Sequence, residues 1–332
     1  MRCSFVLTTF FALATGNPTR TWDNTIEPAH LVKRASVSDK ATLGYASLNG
    51  GTTGGSGGTI TTVSTLPEFT AAVDEKNTAP VIVVVKGIIT GVANVRIGSN
   101  KSIIGLPNSG LRGIGLYVRR QKNVIVRNII SSMVLTSTGD GIKIDQSTNV
   151  WVDHCEFFSA LVSDKDFYDG QVDASHAADY ITISYTYFHD HWKTSLIGHS
   201  DNNGSVDPGH LRITYAYNYW KNIGSRAPSL RFGTGHVYNS FFENVISAIN
   251  SRMGAQMLVE SNVFKNVSVP ITSVDSDDVG YVTAIGNDLG GGANAAPAGS
   301  LTPSSIPYSY SLLGSGSVVS TIPSQAGAIL TF

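Results

Sequence analysis

Short stretches in which apolar and polar residues alternate recur along the middle of the chain. Asn123-Val-Ile-Val-Arg-Asn, Asn149-Val-Trp-Val-Asp-His, Tyr180-Ile-Thr-Ile-Ser-Tyr, His210-Leu-Arg-Ile-Thr-Tyr and Gln256-Met-Leu-Val-Glu-Ser all carry apolar residues at their second and fourth places. A period of two predicts a strand for each. Another strand near His236-Val237-Tyr238-Asn239 fills the long gap before the last, and Phe157, Phe188 and Phe264 follow the strand starts of three units at one fixed offset. A strand, a bend and an aromatic repeated in this way mark coils stacked into a solenoid. One such strand cannot cover its own inner face, so the coils must stack roughly 4.8 Å apart and pair their backbones. The predicted fold is all-β, a right-handed single-stranded parallel β-helix. An antiparallel sandwich is the competing arrangement, but the tight Asn-Gly turns that join its strands are nearly absent from the central region.

A solenoid needs its open end covered. Thr65-Leu66-Pro67-Glu68 has the form of a capping box, and Leu66, Phe69 and Val73 are spaced for one helical face. This predicts a short N-terminal capping helix beginning at Leu66. The glycine-rich stretch Asn49 to Gly58 lacks the Lys-Ser/Thr ending of a phosphate loop and reads as a lead-in. The closing segment from Gly290 to Phe332 is rich in Gly, Ser, Ala and Pro and is expected to run back along the outside of the coils.

Composition agrees with this reading. The 332 residues suit a solenoid, which grows by adding coils. Hydrophobic residues at 42%, charged residues at 14% and 34 glycines suit many short strands joined by turns, and argue against a disordered or coiled-coil chain. A formal net charge of −1 gives no ground for a nucleic-acid partner, while leaving room for a local basic cluster.

Met1-Arg2-Cys3 followed by the apolar run Ser4 to Ala14 has the form of a secretory signal peptide, and that run is too short to span a membrane. The dibasic Lys33-Arg34 before Ala35 looks like a pro-peptide processing site. Residues 1–34 are thus expected to be signal and pro-peptide, and 35–332 a single secreted, extracellular β-helix domain, monomeric by default. Loss of Cys3 would leave Cys155 alone, so no internal disulfide is expected. Asn100, Asn203 and Asn266 open N-glycosylation sequons.

Carboxylates gather ahead of two successive strands, with Asp140 before the Asn149 strand and Asp169 and Asp173 before the Tyr180 strand. Asp169 and Asp173 leave one face of an extended segment, and Asp140 can approach from the neighbouring coil. Three such groups repel unless a hard cation sits among them, and Ca²⁺ prefers oxygen ligands. The alternative is separate, solvated turn aspartates. Basic residues follow in later coils: Lys193, Arg226, Arg231 and Arg252. Each alone could be a structural ion-pair partner, but four beside a carboxylate cluster favour recognition of a carboxylate-bearing ligand.

At these residues the chain resembles a known family. Trp151-Val152-Asp153-His154, Asp169-Gly170-Gln171-Val172-Asp173 followed by Ile181-Thr182-Ile183-Ser184, then Lys193-Thr194-Ser195-Leu196-Ile197-Gly198 and Arg226-Ala227-Pro228-Ser229-Leu230-Arg231 are similar to the ordered signature of extracellular pectate lyases. The resemblance runs from about Gly44 to Gly286. It implies calcium-dependent eliminative cleavage of polygalacturonate, with Asp140, Asp169 and Asp173 holding Ca²⁺ as metal ligands. It further implies that Lys193 and Arg231 bind uronate carboxylates, that Arg226 is the catalytic base, and that Arg252 is a further substrate contact.

The chemistry asks for these residue types. Removing the weakly acidic hydrogen at C5 of galacturonate puts charge on its carboxylate, which a metal and nearby cations stabilise. A guanidinium is normally always protonated, so a basic role for Arg226 needs cations around it, and an alkaline optimum is expected. Thr138 stands where some relatives carry another aspartate, which implies a weaker hold from the protein side on an additional substrate-bridging calcium, and Ser175 stands where some carry a lysine, which leaves subsite preference open. His154 aligns with Asn128 and Tyr185 in the repeat and reads as structural, Cys155 reads as a small buried side chain, and Trp192 either stacks on sugar or packs.

Three other functions compete. A pectin lyase acts without calcium on methyl-esterified polymer and has a basic residue in place of the carboxylates, which Asp140, Asp169 and Asp173 argue against. A non-catalytic carbohydrate-binding β-helix would need no Arg226. A polygalacturonase-type hydrolase would carry Arg-Ile-Lys where this chain reads Arg212-Ile213-Thr214.

Overall fold

The alternating segments form strands that pair in parallel. In the computed structural model, which describes residues 34–332, the strands Lys122–Arg127, Thr148–Asp153, Asp179–Ser184, Arg212–Ala216, Thr234–Tyr238 and Gln256–Glu260 are consecutive neighbours in a ten-stranded sheet. Val124, Val150, Ile181, Ile213, Gly235 and Met257 stand in one row across it. Aligning the repeats by their starts would set Leu211 opposite Ile181, whereas the structure sets Ile213 there, two residues further on. A slip of two keeps the same face inward, which is why the pattern survives it.

A second sheet supplies the other two faces of each coil. One run comprises Ile130–Ser132, Glu156–Phe158, Tyr187–Lys193 and Tyr219–Ser225, and the other Ile142–Asp145, Val172–Ser175, Leu196–Ile197 and Ser229–Arg231. The long strand Gly110–Arg119 pairs with the first strand of both runs, and Phe241–Arg252 with the last of both. Among the described residues every ladder between these strands is parallel, with antiparallel contact confined to isolated bridges, which excludes the antiparallel sandwich.

The corners have a common form. Asn128, His154, Tyr185, Tyr217, Asn239 and Ser261 each follow a strand of the first sheet, with φ between 46° and 59°. Asn and His tolerate this left-handed conformation better than most residues. His154 therefore aligns with Asn128 and Tyr185 because all three turn the chain. Its buried ring stacks on Tyr185 at 4.7 Å, and Nδ1 lies 2.7 Å from Asp153 Oδ2. Cys155 beside it is fully buried, which pushes its thiol up to about 12.

Inside, Phe157, Phe188, Trp220, Phe242 and Phe264 form one ladder, with successive ring centroids 5.4, 4.3, 5.8 and 4.5 Å apart. The recurring phenylalanines are thus the rungs of a buried stack that Trp220 and Phe242 complete.

Helix α1, Leu66–Ala72, begins where the capping box predicts. Glu68 N donates to Thr65 Oγ1, Thr65 N donates to Glu68 Oε2, and Phe69 is buried against the first coils. The closing segment runs back along the coils: Tyr308 Oη is 2.7 Å from Thr214 Oγ1, Tyr310 donates to Glu260, and Leu330 N donates to Asn128 Oδ1. Helix α2, Ser315–Gln325, is an addition to the predicted elements. Its serines, glycine and proline are poor helix formers, but Val318 and Ile322 bury against Tyr219, Phe241 and Val263.

The leader expected over 1–34 lies, apart from Arg34, outside the described residues. At the expected mature start, Ala35 N donates to Thr331 O at 2.8 Å. Among the described residues no helix is long and apolar enough to cross a membrane.

Candidate active site

The candidate residues collect on, and just ahead of, the run that contains Ile142–Asp145, Val172–Ser175 and Ser229–Arg231. Alternation sends Ile142, Ile144, Val172 and Ala174 into the core and turns Lys143, Asp145, Asp173 and Ser175 outward. Asp140 stands just ahead of the first of these strands. A Cβ on Gly170 would lie 2.6 Å from Asp173 Oδ1 and 2.8 Å from Asp140 Oδ1, so the two carboxylates converge over that glycine.

Both carboxylates are buried, at 3% exposure for Asp140 and 9% for Asp173. Burial raises the pKa of each. Asp173 is driven well above the usual carboxylate range, with the charge of Asp140 as the second cause. Asp140 is raised by burial, eased by Lys143 and raised again by Asp169. Lys143 Nζ lies 3.2 Å from Asp140 Oδ2, and Leu196 N donates to Asp173 Oδ1 at 2.9 Å. Asp169 is half-buried beside them.

Among the described residues no three His, Cys, Asp or Glu side chains form a closed metal cage. The structure brings Asp140 and Asp173 together, with Asp169 near enough to act through its charge. The donors still fit a hard divalent cation, because two converging buried carboxylates, one of which raises the proton affinity of the other, are what such an ion relieves.

The basic residues divide. Lys193, Arg226 and Arg252 line one open cavity of about 510 Å³, together with Trp192 and Asp166. Lys193 ends its strand in register with Ser225, and the next residue, Arg226, turns at φ 59°. Among the described residues the Arg226 guanidinium has no hydrogen bond or ion pair. Arg252 is 7% exposed, and burial, with the charges of Arg231 and Arg226, pushes it down to about 10. Among the described residues its Nε is buried without an acceptor. Arg231 pairs in register with Arg252 but turns away, its Nε donating to Asp201 and Nη1 to Gly198 O at 2.9 Å. A uronate at Arg231 would have to share it with Asp201.

Lys193 is also engaged, its Nζ 2.5 Å from Asp166 Oδ1. Asp166 belongs to a loop fastened by Trp192, which donates to Val162 O at 2.8 Å and carries Lys165 Nζ 5.0 Å over its ring. Sequence reasoning missed Asp166 and Lys143. The run Asp164-Lys165-Asp166 was the visible sign of the first, and Lys143's outward place three residues after Asp140 was that of the second.

The sequons differ in setting. Asn266 is exposed, its Nδ2 donating to Asn244 Oδ1, and Asn100 Nδ2 donates to Thr78 O. Among the described residues Asn203 Nδ2 is buried with no partner.

Comparison with known proteins agrees with this geometry. The pectate lyase family model matches residues 24–329. Probable pectate lyase A of Aspergillus fumigatus is 55% identical over 322 residues, 96% of each chain. Pectate lyase plyB of Emericella nidulans is 48% identical over 301 residues, 90% of this chain and 92% of that one. Among solved structures, a pectate lyase from Bacillus sp. N165 in complex with trigalacturonate superposes with a TM-score of 0.78 at 32% identity, covering 87% of this chain and 99% of that one. A mutant Bacillus subtilis pectate lyase superposes with a TM-score of 0.77 at 26% identity, covering 92% and 100%. The chain belongs to the pectate lyase family.

Proposed function

We propose that this protein is a secreted, calcium-dependent pectate lyase that cleaves polygalacturonate by β-elimination. The observation that carries the reading is the adjacency of two unlike clusters on one face. Buried carboxylates converge at Asp140 and Asp173, and beside them is a cavity lined by Lys193, Arg226 and Arg252.

Asp140, Asp173 and Asp169 would hold Ca²⁺. When bound, the ion supplies Lewis-acid stabilisation to the uronate carboxylate as charge develops on it. Lys193 binds a uronate carboxylate, exchanging its contact with Asp166 for one with substrate. Arg252, with a buried donor to satisfy, binds another, and Arg231 contributes as far as Asp201 shares it. Arg226, which has no hydrogen bond or ion pair among the described residues, takes the C5 proton. That step needs the neutral guanidine, so turnover rises toward alkaline pH. The electron pair left at C5 forms the C4–C5 double bond as the C4–O bond breaks, and the leaving oxygen acquires a proton from solvent.

The test is ultraviolet absorbance of polygalacturonate and of methyl-esterified pectin at alkaline pH, with calcium and with a chelator. Growth on polygalacturonate only with calcium supports the proposal. Growth despite chelation and only on esterified pectin would make the protein a pectin lyase, and no growth on either would refute elimination.

A further inference from the structure

A basic side chain is planted among the carboxylates themselves. Lys143 points outward from Ile142–Asp145, in register with Asp173 on one neighbouring coil and Tyr117 on the other. Its Nζ lies 3.2 Å from Asp140 Oδ2, with the side chain 37% exposed. Burial opposes its charge, but Asp140, Asp173 and Asp169 together hold the ammonium above the usual lysine range.

This arrangement has a definite charge count. With Lys143 in place, the three ionised carboxylates fall short of neutrality by two charges, the charge of one calcium ion. Without Lys143 the shortfall would be three. Ligand charge count is one of the factors that tune calcium affinity, and a positive group a few ångströms from the ion opposes its binding.

We propose that Lys143 is an internal counter-ion that holds the carboxylates together before metal arrives, gives up Asp140 Oδ2 as calcium binds, and thereby sets the site's calcium affinity. The inference rests on the reading that Asp140, Asp169 and Asp173 hold calcium. Its consequence for substrate is that the loaded site is neutral, so an arriving uronate meets no excess negative charge.

Calorimetric titration of calcium into the folded protein tests this directly, with melting temperature followed in calcium and in chelator. Lys143→Met and Lys143→Gln should each bind calcium at least about tenfold more tightly than the parent. Lys143→Arg, which keeps the charge, should stay within about threefold. If only one neutral variant folds, that variant decides; if neither folds in chelator, rescue of folding by calcium supports the inference and failure of rescue overturns it. Neutral variants that unfold cooperatively but bind calcium no more tightly than the parent overturn this inference alone. A parent protein that takes up no calcium overturns both it and the calcium site on which it rests.

Discussion

Asp140 and Asp173 come from successive coils yet converge over Gly170, their Oδ1 atoms 2.8 and 2.6 Å from the point that a Cβ of that residue would occupy. Glycine here keeps open a space between two carboxylates. The Gly170→Ala variant fills it and forces the oxygens apart, so it should lose calcium binding while the coils remain folded. On the proposed site, calcium a hundredfold above Kd should add about 2.7 kcal/mol of stability to the parent. The variant should gain essentially none, which melting curves with and without calcium would show.

The same pair fixes a pH dependence. The folded-state pKa values of Asp140 and Asp173 lie above their unfolded-state values, so the folded chain retains protons that the unfolded chain has released. Their contribution to stability therefore falls as pH rises from the ordinary carboxylate range through the raised values. On the proposed calcium site, the ion would bind the ionised pair and offset that loss. The gap between melting temperatures in calcium and in chelator should widen from about pH 4 to about pH 8, and a gap that stays constant or narrows would count against the pair as metal ligands.

Among the described residues the Arg226 side chain has no hydrogen bond or ion pair, and its substitution should act on the chemical step. For Arg226→Lys we expect kcat to fall by about 10³, with calcium affinity and oligogalacturonate binding nearly unchanged. A comparable loss of binding affinity would assign Arg226 to substrate recognition and leave the base elsewhere.

Asp153 supports the corner at His154 from within. It accepts from Arg127 Nε at 2.7 Å and from Ser184 Oγ at 2.7 Å, and lies 2.7 Å from His154 Nδ1. Burial alone would raise its pKa, but His154 and Arg127 outweigh it and hold the carboxyl below the usual range. Its contribution is thus present above the unfolded carboxylate pKa and is lost as pH falls through the folded one. Asp153→Asn leaves Arg127 short of a buried partner and should cost about 3 kcal/mol in chemical denaturation at neutral pH. The difference from the parent should shrink in acid.

The coils were legible because each repeats the same alternation, and even the two-residue slip at Ile213 leaves the inward face unchanged. Asp140 and Asp173 were legible because neighbouring coils bring segments ahead of successive strands together. Lys143 was not, since a lysine on the outer face of a strand looks like any solvated charge until its neighbour in the next coil is known. Nor was the turning of Arg231 onto Asp201 and Gly198, which depends on a loop some thirty residues away. Helix α2 escaped because its local propensity is weak and its stability comes from packing against Tyr219, Phe241 and Val263.

The most direct test of the account is the mass of the fragments released from polygalacturonate by the protein, with calcium and with a chelator. The account predicts oligogalacturonides lighter by one water than hydrolysis products, carrying an unsaturated end, and formed only with calcium. Fragments of full hydrolytic mass, or unsaturated fragments formed equally well in the chelator, would contradict it.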